Sequence, residues 1–315
     1  MIAFGPIPSR RLGRSLGINN IPPKICTYSC IYCQVACQMK MRIERQPFYP
    51  PEDVFHAVAE KVDEAKALSE SIDYLTFVPD GETTLDINLG HAIDLLKSLG
   101  IRIAVITNSS LIWRPDVQSD LHKTDWISFK IDAVEEEIWR KIDRPSGRLK
   151  LDQILEGILE FAEHYQGKLV TETMLAKGVN DSEENLEGVA RFLEKLKPDI
   201  AYLSIPIRPP AEKYVEVPDE KVVIRSFEIL NESNNKVEYL IGYEGNTFAF
   251  TGNAEEDMLS ITAVHPMRED GVREFLGKAQ AGWGLIDQLI DDNKLAEVSY
   301  NGHKFYIRKF QKTHL

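Results

Sequence analysis

Ile25-Cys26-Thr27-Tyr28-Ser29-Cys30-Ile31-Tyr32-Cys33-Gln34 is the stretch on which the reading of this chain turns. Its C-x3-C-x2-C spacing gathers three thiols close enough to cap three irons of a 4Fe-4S cluster, whereas ferredoxin clusters take four cysteines. One iron is then left open to a substrate or cofactor. A zinc knuckle or a reduced structural cysteine cluster is the alternative, but neither calls for an x3 then x2 gap with three close ligands. The fourth cysteine of the chain, Cys37, extends the run to C-x3-C-x2-C-x3-C and could close a four-thiolate electron-transfer or structural site. The bacterial ferredoxin run is instead C-x2-C-x2-C-x3-C followed by proline, and here Gln38 follows. The metal ligands are therefore expected to be Cys26, Cys30 and Cys33, with Cys37 a buried or neighbouring thiol that packs as a small hydrophobe.

The surrounding composition sets the frame. The chain has 315 residues, 43% of them hydrophobic. It contains no apolar run of roughly 18 residues, so a membrane span is not expected. The opening Met-Ile-Ala-Phe-Gly-Pro-Ile-Pro lacks the basic and apolar regions of a secretory signal, and four clustered cysteines suit a reducing compartment. A cytoplasmic location is the expectation. The net charge of −12 argues against sequence-independent nucleic-acid binding, yet residues 1–50 hold seven basic side chains against Glu44 alone. Positive charge therefore surrounds the cysteines, either to attract an anionic substrate or electron donor or to offset the charge of a thiolate-bound cluster.

Short apolar runs alternate with helical patterns, which predicts an α/β fold with a parallel sheet and crossover helices. Strands are expected at Ser15 to Asn19, Tyr74 to Val78, Arg102 to Ile106, Trp126 to Lys130, Leu169 to Met174 and Tyr202 to Ile205. Between them lie helical stretches such as Glu52 to Ser69, Leu151 to Tyr165 and Ser182 to Leu196. Right-handed crossovers curl such a sheet toward a barrel. With the three cysteines and an aromatic residue, Tyr32, before the third of them, the chain resembles the radical S-adenosylmethionine (SAM) superfamily and its partial (β/α)6 TIM-like barrel.

In barrel-like folds the chemistry gathers just after the strands. After the second strand stands Pro79-Asp80-Gly81-Glu82-Thr83-Thr84, which resembles the family's Gly-Gly-Glu segment, implying that Asp80, Gly81 and Glu82 hold the amino group of SAM. Asp80 replaces the first glycine, which leaves a positive φ there less assured. Asn108 follows the third strand, where its amide could bond the ribose or the methionyl carboxylate. Ser128, Lys130 and Asp132 alternate along the fourth strand onto one face, matching where the family binds the carboxylate and ribose. Hydrogen-bonded strand ends are the bland alternative for each. Glu172 is an acid in an otherwise apolar strand and needs a partner, as a substrate contact or a structural salt bridge. Arg208, after the sixth strand, is available to an anionic substrate.

The resemblance narrows over roughly residues 1–235. Phe4-Gly-Pro-Ile-Pro-Ser-Arg-Arg-Leu-Gly-Arg-Ser-Leu-Gly17, the Cys-Ile-Tyr-Cys-Gln-Val run and Arg45-Gln-Pro-Phe-Tyr-Pro-Pro-Glu-Asp-Val54 are similar to the group that includes the archaeal wyosine (imidazoguanosine tRNA) synthases. Those enzymes carry a second cluster on extra upstream cysteines, and no cysteine precedes Cys26 here. A hairpin is expected in Val237 to Phe250, around Gly245-Asn246. Residues 1–255 are read as the barrel with its cluster loop. Residues 256–315 are read as a winged-helix-like module: two helices, then Leu295 to Tyr300 and His303 to Arg308 around the Asn301-Gly302 turn. The module's basic, aromatic end, with Lys304, Arg308, Lys309 and Phe305, Tyr306 and Phe310, could grip nucleic acid.

Together these parts imply a 4Fe-4S cluster and SAM as cofactors, a reducing donor of the flavodoxin or ferredoxin type, and a 5'-deoxyadenosyl radical that takes hydrogen from a substrate, RNA or protein among the open choices. The rival readings are a tRNA-modifying enzyme, a glycyl-radical-type activating enzyme, and a non-enzymatic cluster protein, redox or nucleic-acid-binding, completed by Cys37. Iron counting after anaerobic reconstitution separates the last from the others. Ala at position 26, 30 or 33 should abolish the single cluster, while Cys37→Ala should keep it; loss in Cys37→Ala would favour the redox protein.

Overall fold

The computed structural model describes residues 2–34, 40–232, 236–240, 248, 250, 252–264 and 266–309. The chain opens with β1 (Ala3–Ser9), β2 (Gly13–Ile18), β3 (Ile25–Cys26) and β4 (Lys40–Met41). It then alternates: α1 (Pro51–Ala67), β5 (Tyr74–Phe77), α2 (Leu89–Leu96), β6 (Arg102–Thr107), α3 (Pro115–Leu121), β7 (Trp126–Lys130), α4 (Glu136–Ile142), α5 (Leu151–His164), β8 (Lys168–Met174), α6 (Glu183–Leu196), β9 (Ile200–Ser204), α7 (Glu220–Glu232) and β10 (Val237–Leu240). The last part is α8 (Ala254–Val264), β11 (Met267–Arg268), α9 (Glu269–Lys278), α10 (Gly284–Asp291), β12 (Leu295–Tyr300) and β13 (His303–Arg308).

Local chemistry explains the helix starts. Pro51 opens α1 with Glu52 and Asp53 in its first turn, where acids favour the helix dipole. Ser182 caps α6 by accepting from the Asn185 N–H at 3.4 Å. The main sheet runs β1-β2-β5-β6-β7-β8-β9-β10. Every neighbouring pair from β2 onward is parallel, and β1 lies antiparallel on the edge. The six expected strands are β2 and β5 to β9. The edge strand β1 is an addition to the expected set, and Val237–Leu240, the start of the expected hairpin, pairs with β9 in parallel. The Gly245-Asn246 turn lies outside the described residues, as does Cys37.

Side chains alternate between two cores. Leu75, Phe77, Ile103, Val105, Ile127, Phe129, Leu169 and Leu203 point outward against the helices. Ala104, Trp126, Val170, Ile200, Tyr202 and Leu240 pack on the other face around Leu12 from the β1–β2 turn, as a sheet curving into a partial barrel requires. That turn plugs the lumen, and the side chains above it on the same face are polar: Ser128, Lys130, Glu172 and Ser204. Among the described residues no helix is long and apolar enough to cross a membrane.

The C-terminal part has its own core, from Phe248 and Met258 to Leu295 and Tyr306, with Ile7 of β1 packed against it. Its three strands form an antiparallel sheet in the order β11-β13-β12. The Tyr300 hydroxyl donates to Pro206 O at 2.9 Å, and Lys278 pairs with Glu70 at 2.5 Å. The module thus spans from β1 to the loop after β9, the two sides the open sheet leaves apart. Its sequence-expected elements are in place, with α8 and β11 added. Phe305 and Tyr306, from the end expected to grip nucleic acid, are each 1% exposed and belong to the interior, and Lys304 pairs with Glu297 at 2.9 Å. Phe310 lies outside the described residues.

Gly157 sits in the buried face of α5, and a Cβ there would meet Trp113 Cα at 2.7 Å and its nitrogen at 2.8 Å. Helix propensity alone would favour alanine by about 1 kcal/mol. The clash with main chain should outweigh it, so Gly157→Ala is expected to lower stability by about 1–3 kcal/mol in denaturant titration; a stabilised variant would show that α5 can move away from Trp113.

Candidate functional site

The cysteine loop is pinned at the C-terminal end of the sheet from three sides. Ile25 bridges Gly81, and its carbonyl accepts from the Glu82 N–H at 3.0 Å. Opposite, the Ser29 N–H donates to Asp143 O at 3.1 Å, Ile31 N–H to Ile142 O at 2.9 Å and Ser146 N–H to Thr27 O at 3.0 Å. The Glu212 N–H closes the third side on Ile31 O at 3.1 Å. A Cβ at position 81 would stand 2.0 Å from Ile25 O, so only glycine admits the cysteine strand this close. Neither Asp80 nor Gly81 has positive φ. Aspartate in place of the motif's first glycine therefore brings no backbone strain.

Cys26, Cys30 and Cys33 line one cavity of about 220 Å³ together with Tyr32, Gly81, Glu82, Asn108, Lys130 and Glu172. Glu82 is 1% exposed and held by neutral donors. Its Oε1 accepts from the Thr84 N–H at 3.0 Å, the Thr84 hydroxyl at 2.6 Å and the Thr107 hydroxyl at 2.6 Å, and Oε2 from the Asn108 N–H at 2.8 Å. Burial pushes its carboxyl up, and those hydrogen bonds oppose the shift. Asn108 spends its amide on the cysteine loop, donating to Thr27 Oγ1 at 2.8 Å and to Cys26 Sγ at 3.5 Å.

Lys130 and Glu172 sit side by side on β7 and β8, in register, with Nζ 3.0 Å from Oε1. Arg11 approaches the other oxygen, Oε2, at 2.6 Å, and the Ser204 hydroxyl donates to Oε1 at 2.9 Å. Against the cost of burial, Lys130 and Arg11 hold Glu172 ionised, its pKa well below the usual carboxylate range. Lys130 Nζ also lies 4.9 Å from the centre of the Tyr32 ring and 3.9 Å from Asp132. Burial works against its charge, but Asp132 and Glu172 raise its pKa.

Ser128 and Asp132 do not line this cavity. Ser128 is buried lower on β7. Asp132 accepts from the Met174 N–H at 2.7 Å and from the Tyr32 hydroxyl. Behind it Asp143 lies 3.1 Å from the Tyr32 hydroxyl and 3.2 Å from Cys30 Sγ, and burial with the nearby Asp132 charge raises its carboxyl well above the ordinary value. Arg208 lines a neighbouring cavity and donates to Gln34 Oε1 at 3.0 Å. Arg11, Gln34 and Asp143 were missed as site residues. Arg11 carried a signal, a charged pair in a turn between strands; Gln34 and Asp143 carried none.

The donor set fits an iron–sulfur cluster. Three soft thiols surround one cavity. Burial, and next the Glu82 charge, push the Cys26 thiol up to about 12, and burial with Asp143 raises Cys30 well above its ordinary value. Metal ligation favours the thiolate and releases that proton, which opposes the upward shift. Among the described residues no group of three His, Cys, Asp or Glu is arranged around a single ion.

The Radical SAM superfamily matches residues 20–193. A UPF0026 protein of Methanocaldococcus jannaschii is 49% identical over 312 residues, 98% of this chain and 97% of its own. A radical SAM methyltransferase from Sphaerobacter thermophilus superposes with a TM-score of 0.54 at 14% identity, over 72% of this chain and 66% of that one. TYW1 with a lysine-pyruvate adduct bound gives 0.53 at 17%, over 70% and 73%. At such identities the two structures share the fold.

Asp80 faces away from the cavity, 4% exposed, with no hydrogen-bond partner for Oδ1 among the described residues. Burial pushes its carboxyl up from the ordinary 3.8 to about 7, while Arg308 and Lys24 hold it back. The fold thus binds this proton more tightly than the unfolded chain and loses stability as pH climbs between those two values. Asp80→Asn should stabilise the protein by about 1–3 kcal/mol at pH 8, with the gain fading toward pH 5. Melting curves at both pH values test this; a variant less stable at pH 8 would show that the carboxylate has a partner.

Proposed function

The chain belongs to the radical SAM superfamily and to the UPF0026 proteins within it, and from that premise we propose an enzyme that cleaves SAM reductively at a 4Fe-4S cluster held by Cys26, Cys30 and Cys33. The observation that carries this reading is the convergence of those thiols with Glu82, Lys130 and Tyr32 on one cavity at the C-terminal ends of the strands. When bound, the cluster and SAM supply one-electron cleavage of the C5'–S bond, giving methionine and a 5'-deoxyadenosyl radical that takes hydrogen from the substrate.

The chain's own residues position and shield. Cys26 Sγ accepts hydrogen bonds from the Tyr28 N–H and the Asn108 amide, each at 3.5 Å, which orient a ligating sulfur and tune its charge. Glu82 Oε2 takes a single donor and keeps acceptor capacity for the ammonium of SAM. Lys130, an ammonium with three donors, has one on Glu172 and offers charge to the methionyl carboxylate. Leu12 and Trp126 close the floor of the lumen against water.

A reducing donor of the flavodoxin or ferredoxin type would feed the cluster. The order helix, strand, two helices, two strands supports a winged-helix-like reading of the C-terminal module. With Phe305 and Tyr306 in its interior, that module lends no support to an RNA substrate.

Reduced protein supplied with SAM alone should slowly release 5'-deoxyadenosine, read by chromatography. Lys130→Ala should weaken SAM binding by about 1–3 kcal/mol, and because Arg11 still pairs with Glu172 the variant should fold. An intact cluster that yields no 5'-deoxyadenosine would refute SAM as the cofactor.

A further inference from the structure

Tyr32 stands between the second and third thiols, and its hydroxyl reaches a residue 100 positions away, Asp132. Asp132 is expected from the family resemblance to meet the cofactor, yet it does not line the thiol cavity, and both of its carboxyl oxygens already accept hydrogen bonds. It is 2% exposed and fixed from the sheet side. Oδ1 accepts from the Met174 N–H at 2.7 Å, and the Asp132 carbonyl accepts from the Asn180 amide at 2.9 Å. Asn180 in turn donates to Met174 O at 2.8 Å and accepts from the Ala176 N–H at 2.9 Å. The acid is therefore a rigid post, built where β7 and β8 end, that presents Oδ2 to the cysteine loop.

Tyr32 itself walls the thiol cavity. Lys130 Nζ lies 4.9 Å from the centre of its ring and 3.0 Å from Glu172 Oε1, so a tethered cation sits against the ring while Asp132 holds the hydroxyl. Asp143 is the second acid within reach, 3.1 Å from the same hydroxyl. A hydroxyl has one proton to donate, and the closer Asp132 takes it. Were the loop to swing away, Asp132 Oδ2 would be left buried without that donor, a cost that favours the loop where it is.

We propose that Asp132 is a positioning residue that does not touch the cofactor: by holding the Tyr32 hydroxyl it fastens the cysteine loop to the end of β7 and sets the place of the aromatic wall of the thiol cavity. The consequence for SAM rests on the radical SAM reading; the fastening of the loop does not.

The test measures hydrogen–deuterium exchange of main-chain amides in the full-length protein before reconstitution, read on peptides by mass spectrometry. Tyr32→Phe keeps the ring and drops the donor, and the amides of residues 26–34 should exchange about fivefold faster while those of β6 stay as they are. Asp132→Ala should loosen the same stretch. Asp132→Asn can still accept from the Met174 N–H and offers an N–H to the Tyr32 oxygen, so its loop should exchange as in the wild type. Calorimetric titration of SAM into the reconstituted proteins should show binding weakened about fivefold in Tyr32→Phe and unchanged in Asp132→Asn. Unaltered loop exchange in Tyr32→Phe, or faster exchange spread over the whole chain, would overturn the proposal. So would a loop loosened by Tyr32→Phe but not by Asp132→Ala, which would assign the hydroxyl to Asp143, and so would weaker SAM binding in Asp132→Asn with the loop unaltered, which would make Asp132 a cofactor contact. Wild-type protein that binds no SAM, with loop exchange responding as described, would undo the cofactor reading and leave the positioning role standing.

Discussion

The approach of Ile25 to Gly81 is the constraint on which the rest of the site depends. Main chain from the cysteine loop and main chain from the turn after β5 meet so closely that a methyl group at position 81 would lie 2.0 Å from a carbonyl oxygen. That contact carries the Ile25 carbonyl to the Glu82 N–H and so joins the cysteine loop to a carboxylate that lines the thiol cavity. The loop itself has almost no regular structure. Its order is borrowed from the 79–82 turn, the 142–146 segment and Glu212, each of which satisfies a main-chain group that would otherwise be buried unpaired.

Charge in the site is arranged in two ways. Glu82 is surrounded by hydroxyls and main-chain N–H groups, which stabilise a buried carboxylate without cancelling it. Glu172 is cancelled outright, by Arg11 from one side and Lys130 from the other. The first device leaves negative potential toward the thiol cavity, where an ammonium would be welcome. The second places an ion-paired carboxylate between that cavity and the neighbouring one that Arg208 lines.

The edge of the sheet shows why a fold of this kind needs its C-terminal part. Parallel strands curl but stop short of closure, and the flanks are β1 on one side and β10 on the other. The module lies across from Ile7 to Pro206, fastened by apolar packing and by the Tyr300 hydroxyl. Its aromatic residues are consumed in that packing, which is why a pattern that looks adhesive in the sequence, Lys304-Phe305-Tyr306, proves to be an interior strand with one charge paired on its surface.

Periodicity made the parallel core legible, because strands such as Trp126–Lys130 alternate between two faces and one of those faces is apolar by necessity. Cysteine spacing made the thiol set legible, because side chains that line one cavity must be near one another and here are near in sequence. The parallel pairing of β10 escaped because a short edge strand carries no mark of its partner, and only its neighbour decides. Arg11 and Asp143 escaped for a related reason: they act across 161 and 113 positions, on Glu172 and Cys30. Asp132 and Ser128 share the face of Lys130, as alternation requires, yet Asp132 is turned to Tyr32 and Met174 and away from the cavity. The sequence by itself thus determined the order of strands and helices and the set of thiols, which follow from local spacing. Only the tertiary structure decided which charges meet, since a side chain's partner is chosen by distance in space after the sheet has curled.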